Sequence, residues 1–202
     1  MSKQSALEVV FNMVNGRQLR FRAHSEEDAR NVIQSINPQK FFSERKEVSL
    51  FGNASQSSIL LDAVAFMVFE TPIKLDWPYP IHFSSAKILN RNLFIKAATD
   101  ELPRVRQILD SNQAGKPIPL FLELVIEGGR HWFLRAESET LMPAERMQIP
   151  KTLRDITGFH ATGPGGGGVL FNMNRVVSWT LHPPLTDPNS KAWRMAPIRE
   201  NP

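Results

Sequence analysis

Cysteine is absent from the 202 residues, which excludes disulfides, thiolate metal sites, iron–sulfur clusters and a cysteine nucleophile. Charge of one sign is scarce as well. Twenty-four Lys and Arg face 20 Asp and Glu, leaving +1 over residues 1–101 and +3 over the remainder. No basic arm therefore marks a nucleic-acid binder, although the pI is 9.6. Long apolar runs are missing too. The longest, Ile59 to Phe69, is interrupted by Asp62 and falls well short of the roughly 20 residues a bilayer-crossing helix needs. Ala6 to Val14 alternates with Glu8 and Asn12, unlike the unbroken apolar stretch of a secretory signal. A cytoplasmic protein with no membrane partner is expected.

What is present is a pattern that occurs twice. At an offset of 113, Gly16-Arg17-Gln18-Leu19-Arg20-Phe21-Arg22-Ala23-His24-Ser25-Glu26 lies over Gly129-Arg130-His131-Trp132-Phe133-Leu134-Arg135-Ala136-Glu137-Ser138-Glu139, with six of the eleven pairs identical. Upstream, Leu7, Val9, Phe11 and Met13 fall on Leu120, Leu122, Leu124 and Ile126, so the alternating apolar face is kept where identity fades. Farther on the offset shortens to about 112, placing Asp62-Ala63-Val64-Ala65 over Asn174-Arg175-Val176-Val177. Internal duplication decides architecture. The expectation is an α+β protein of two tandem, pseudo-symmetric β-rich units, each of about four antiparallel strands and one helix, joined by a partly structured linker. Their bounds are 1–72 and 118–183, with a linker at 73–117 holding a strand and a short helix, and a loosely ordered tail at 184–202.

Side-chain parity fixes the hairpins. A two-residue Asn15-Gly16 turn would pair Phe11 with Arg20 and set apolar against polar side chains on one face. A three-residue loop, Val14-Asn15-Gly16, instead pairs Phe11 with Leu19, Val9 with Phe21 and Glu8 with Arg22. The same loop length at Glu127-Gly128-Gly129 sets Leu122 against Leu134 and Leu124 against Trp132.

After the first hairpin, Ser25 is an N-cap with Asp28 three residues on. Ala29, Val32, Ile33 and Ile36 follow a helical stripe that Asn37-Pro38 ends. In the second unit Met142-Pro143 shortens the helix, with Thr152 to Ile156 as a further helical turn. Lys46 to Phe51 and Ile59 to Glu70 read as strands, as do Phe159 to Thr162 and Val169 to Leu181. In the linker, Trp77-Pro78-Tyr79-Pro80 is a stiff elbow. Leu93 to Ala97 reads as a strand and Asp100 to Leu109 as a helix, with Pro103 in its first turn.

Chemistry-bearing motifs are sparse. The run Thr162 to Gly168 could offer the amides of Gly165, Gly166, Gly167 and Gly168 to a phosphate. It lacks the following lysine and leads into a strand, which makes it a glycine-lengthened hairpin loop. Histidines 24, 82, 131, 160 and 182 have no partner at metal-site spacing, so neither a metal nor a cofactor is expected. Ser-x-x-Lys at Ser43 and Ser84 comes without its companion elements, and Glu26, Glu27 and Asp28 suit the first turn of a helix. Enzymatic activity is not favoured. Phe41-Phe42 reads as a core plug. Arg20, Arg22 and His24, with His131, Phe133 and Arg135, form a cationic strip along the hairpins and are the binding residues expected. The resulting reading is a non-catalytic interaction or regulatory module that binds a protein or small ligand where the units meet. The alternatives are a nucleic-acid binder using the arginines and an enzyme with a glycine-lined phosphate pocket. Uncovered sheet edges also leave room for a homo-oligomer.

Overall fold

The computed structural model describes residues 6–52, 55–110, 117–139 and 142–185. The expected tail beyond Leu185 lies outside them.

The first hairpin joins β1 (Glu8–Met13) to β2 (Gln18–Arg22). Phe11 faces Leu19, Val9 faces Phe21 and Glu8 faces Arg22, the register of the three-residue loop. Gly16 closes that loop at φ +83°, a left-handed conformation that glycine adopts without a Cβ clash. The gain is one apolar face, on which the Phe11 and Phe21 rings meet edge to face at 5.9 Å. The second hairpin, β7 (Pro119–Ile126) and β8 (Arg130–Ser138), sets Leu122 against Leu134 and Leu124 against Trp132.

Helix α1 (Glu26–Gln34) starts where the cap predicts. The Ser25 hydroxyl oxygen accepts from the Asp28 amide at 3.0 Å, and Ala29, Ile33 and the trailing Ile36 are buried. The short α2 (Phe41–Glu44) buries both Phe41 and Phe42, so this pair is a core plug. In the second half two short helices, α4 (Pro143–Arg146) and α5 (Ile149–Asp155), stand in the place of α1 and α2.

Two expectations about strands change. Ile59–Glu70 is not one strand: β3 (Glu47–Phe51) pairs with β4 (Gln56–Leu60), a 3-10 turn at Leu61–Ala63 follows, and β5 (Val64–Glu70) comes after it. Val169–Leu181 breaks in the same way. There β9 (Gly158–Thr162) pairs with β10 (Gly168–Asn172), and a turn at Met173–Arg175 leads to β11 (Val176–His182). Each turn swings the chain out of one ladder into another and is held by the hairpin loop. Val14 N–H donates to Ala63 O at 2.9 Å, and Glu127 N–H donates to Arg175 O at 2.8 Å. Among the described residues each half thus contributes five strands, one more than expected.

The linker also differs. Its strand is β6 (Phe83–Leu89), and Leu93–Ala97 belongs to one long helix, α3 (Arg91–Asp110). The Asn90 side chain accepts from the Leu93 amide at 2.9 Å at the helix start, and Phe94, Val105 and Ile108 are buried along it. Pro103 sits inside the helix, against the usual preference for the first turn.

The strands do not form two separate sheets. Nine join one mixed sheet in the order β11-β7-β8-β6-β9-β10-β5-β1-β2, while β3 and β4 make a small sheet of their own. The open edges of β5 and β10 satisfy each other, with Val169 opposite Val68 and Phe171 opposite Phe66, as unpaired strand edges tend to do. The sheet curls strongly. Trp132 of β8 meets Phe66 of β5 at 5.1 Å and Phe171 of β10 at 5.2 Å, although β6 and β9 lie between them in the strand order. One buried cluster, with Phe66, Phe159, Phe171, Leu122 and Leu134, fills the concave side. A second, with Phe11, Met67, Phe69 and Leu170, packs under α1, α2 and Trp77.

Candidate functional site

The curl of the sheet leaves a groove of about 690 Å³ on its concave side, within the size range of small-ligand pockets. Residues of both halves build it. From the first come Glu8, Arg22, Val68 and Glu70; from the second come Trp132, Val169 and the loop at Gly163–Gly166. Ile88 of β6 completes the apolar base. On the shared face Arg130 reaches from β8 to β1, donating to Asn12 Oδ1 at 2.8 Å with its guanidinium 5.2 Å over the Phe66 ring. This contact ties the halves together beside the groove.

One wall is electrostatic. Glu8 accepts from Arg20 at 2.8 Å and from Arg22 at 3.3 Å, and Arg20 lies 3.8 Å from Glu70. The guanidinium groups of Arg20 and then Arg22 hold the Glu8 carboxyl below the usual carboxylate range. The alternation of β1 and β2 produces this cluster, since Glu8 faces Arg22 across the ladder and Val10 faces Arg20. The far end is pinned by Thr71, whose hydroxyl donates to Ala6 O at 2.6 Å and accepts from the Ile73 amide at 3.0 Å.

The opposite wall is the glycine loop. It turns β9 into β10 and opens no helix, so it has the hairpin form read from the sequence. Its glycines have a packing reason. Gly167 lies at φ +65°, and a Cβ there would stand 2.0 Å from Phe69 O; a Cβ on Gly168 would stand 2.9 Å from both Ala161 O and Leu75 Cδ1. Only a backbone without side chains lets β10 approach the end of β5 and the elbow so closely.

The predicted cationic strip divides. Arg22 stands at the groove wall and Arg20 beside it, both paired with Glu8, and His24 is exposed. Arg135 and Phe133 turn to the other side of the sheet, under α3. Arg135 donates to Glu101 at 3.0 and 2.8 Å and to Glu137 at 2.8 Å, contacts that push its pKa up, Glu101 foremost. Phe133 packs on Phe94 with ring centroids 5.2 Å apart, while His131 is exposed. Of the six predicted binding residues, Arg22 lines the groove together with Gly165, Gly166 and Gly168 of the glycine run. Sequence reasoning missed Trp132 as a groove residue. Its pairing with Leu124 was readable, but the curl that carries it across to Phe66 was not. Trp132 Nε1 is buried there with no hydrogen-bond partner among the described residues.

A second missed residue is His160, 1% exposed in β9 on the side opposite the groove. Its ring stacks on Tyr79 at 4.2 Å and meets Trp77 edge to face at 5.5 Å. Among the described residues neither ring nitrogen has a hydrogen-bond partner, and burial lowers its pKa to about 4. The elbow anticipated at Trp77-Pro78-Tyr79-Pro80 is the cover over this ring, fixed by Trp77 Nε1 donating to Ile33 O at 2.8 Å.

Among the described residues, no group of three or more His, Asp or Glu gathers as a metal site would require, and no helix is long and apolar enough to cross a membrane. Comparison with protein-family models, curated proteins and solved structures gives no match.

Proposed function

We propose that the protein is a non-catalytic interaction module, built from a duplicated unit, that holds a protein segment or a small ligand in the concave groove between its halves. The carrying observation is that one groove draws its lining from both halves, with Glu8, Arg22 and Val68 on one side and Trp132, Val169 and Gly165 on the other. The base is apolar and aromatic and the rim carries paired charges, a combination that favours a ligand with an apolar body and polar ends.

Duplication is supported by the ladders. The β1–β2 register moved along by 113 positions is the β7–β8 register, Glu8↔Arg22 becoming Phe121↔Arg135 and Phe11↔Leu19 becoming Leu124↔Trp132. The β1–β5 pairing recurs as β7–β11 with its bulge at the matching place, next to Met13↔Val64 and Ile126↔Val176. This reading is preferred to nucleic-acid binding because Arg20, Arg22 and Arg135 each pair with a carboxylate, which leaves little free charge for phosphates.

A fragment library screened by amide and indole NMR shifts tests the proposal. Hits are expected to move the Trp132 indole together with the Val68 and Gly166 amides, and Trp132→Ala is expected to remove them. Hits scattered over the surface, with no common set at the groove, would refute it. Affinity for a labelled single strand that falls steeply with salt would move the reading to nucleic acid instead.

A further inference from the structure

A second groove, of about 430 Å³, opens between β2 and β3. Phe21 of β2 and Ala23 just after it line one side, Val48 and Leu50 of β3 the other, with Val32 of α1 and Phe41 of α2 below. Among the described residues β2 pairs with β1 alone and β3 with β4 alone, so each turns an edge to the gap. The backbone groups aimed at it can be named. Met13 N–H donates to Arg17 O and Ala23 N–H to Leu7 O, so the odd-numbered residues of β2 bond to β1, and the N–H and C=O groups of Arg20 and Arg22 point away from it. Gly52 N–H donates to Ser55 O and Leu61 N–H to Lys46 O, so in β3 the groups of Ser49 and Phe51 point away from β4 by the same alternation.

The second half shows what such a gap accepts. Moved along by 113 positions β2 falls on β8, and by 111 β3 falls on β9, Gly158↔Asn172 answering Glu47↔Leu60. Between β8 and β9 runs β6, antiparallel to β8 and parallel to β9, with Lys87 beside both Arg135 and Thr162. Its Ala86 and Ile88 face Ala136 and Leu134, the counterparts of Ala23 and Phe21. Carried to the first half, the place of Lys87 falls between Arg22 and Phe51, both of which line the second groove. The charges differ there. Arg135 bonds to Glu101 of α3 and to Glu137, whereas Arg22 shares Glu8 with Arg20, and the counterpart of Glu137 is His24. Among the described residues the lining sets Arg22 and Arg45 against a lone carboxylate, Asp28, which already accepts from the Ser25 hydroxyl at 2.7 Å.

We propose that this groove takes an extended segment of a partner protein as an added strand, antiparallel to β2 and parallel to β3, with aliphatic side chains at alternate positions on the apolar floor and an acidic residue between them beside Arg22. Backbone bonds to the two edges supply the binding, and the acid selects the segment. The proposal rests on the equivalence of the two halves and is separate from what the concave groove holds.

The probe is an end-blocked peptide of the β6 sequence carrying Lys87→Glu, Phe-Ser-Ser-Ala-Glu-Ile-Leu, added to the isotope-labelled full chain. Amide shifts are expected at Arg20, Arg22, Ser49 and Phe51, and with free peptide at about ten times Kd the Arg20 and Arg22 amides should exchange about tenfold more slowly. The peptide that keeps lysine should bind roughly fivefold more weakly, and Arg22→Glu should reverse that order. Proline at the alanine place should abolish binding by removing a ladder donor. Absence of shifts at the four amides overturns the proposal, and equal binding of the acidic and basic peptides overturns the choice of an acidic segment. Shifts at the Trp132 indole and Gly166 instead would assign the peptide to the concave groove and also overturn it, as would slow exchange at Arg20 and Arg22 before any peptide is added, because the edge would then be covered already. Fragment hits at Trp132 stand or fall without reference to these amides, so failure here is distinct from failure of the concave groove.

Discussion

Burying a histidine with neither ring nitrogen bonded makes stability depend on pH in a defined window. The unfolded chain takes up this proton near pH 6.5, the ordinary histidine value, whereas folded His160 is pushed down to about 4 by desolvation under Trp77 and Tyr79. Between these values unfolding absorbs a proton, so stability falls as the pH drops; above 6.5 the ring is neutral in both states and contributes nothing. The loss accumulates to about 2 kcal/mol at pH 5 and about 3 kcal/mol at pH 4 relative to pH 8. Replacing the ring by a neutral one of similar shape, His160→Phe, removes the proton without emptying the space. Urea denaturation of both chains at pH 8 and pH 5 reads the difference. The parent should lose about 2 kcal/mol more than His160→Phe over that interval, the carboxylates being common to both. Parallel pH dependences would refute the reasoning, as would His160 ring-proton shifts that titrate near 6.5.

Four further outcomes follow from the contacts of these residues. Gly167→Ala places a Cβ 2.0 Å from Phe69 O at φ +65° and should destabilise by about 2 kcal/mol or more. Gly165→Ala meets nothing within 4 Å and should stay within about 0.5 kcal/mol in the same urea assay. Ser25→Ala removes the oxygen that accepts the Asp28 amide at 3.0 Å and should lower stability by about 1 kcal/mol, with Ser25→Asp restoring most of it. Arg135→Ala removes three charged hydrogen bonds to Glu101 and Glu137 from a side chain that is 25% exposed. About 1 to 2 kcal/mol should be lost in a thermal melt, less at high salt.

The local ladders were legible because parity leaves little choice. Once Phe11 and Val9 are required to share a face with Leu19 and Phe21, the three-residue loop is the one short loop that delivers it. The α1 boundary was legible for a similar reason, Ser25 and Asp28 naming the start and Pro38 the stop. The break at Leu61–Ala63 was not, because the run from Ile59 to Phe69 is otherwise apolar and a lone Asp62 is a weak turn signal. What sets the turn is the bond from Val14 N–H to Ala63 O, a partner 49 positions away. Leu93–Ala97 misled through composition. Its residues suit either element, and only the burial of Phe94 against Phe121 on β7, with Val105 and Ile108 on the same helix, commits it to α3.

The candidate site was less legible because it depends on how far the sheet curls, and curl is a sum over strands that no single strand records. Arg22 and the glycine run both carried sequence signals, but nothing local states that they share a groove. That follows from β10 sitting next to β5 in the strand order. The same distance effect divided the arginines. Arg22 and Arg135 occupy matching places in matching hairpins, yet the long helix after β6 covers Arg135 with Glu101 while Arg22 is left at an edge. Sequence likeness between the two hairpins therefore predicts backbone pairing more reliably than side-chain role. Pairing is fixed inside each hairpin, whereas role is set by what the intervening chain lays over it. In this protein the intervening chain supplies β6 and α3 to the second half alone. Among the described residues, this asymmetry leaves β2 paired with β1 alone at the end of the large sheet.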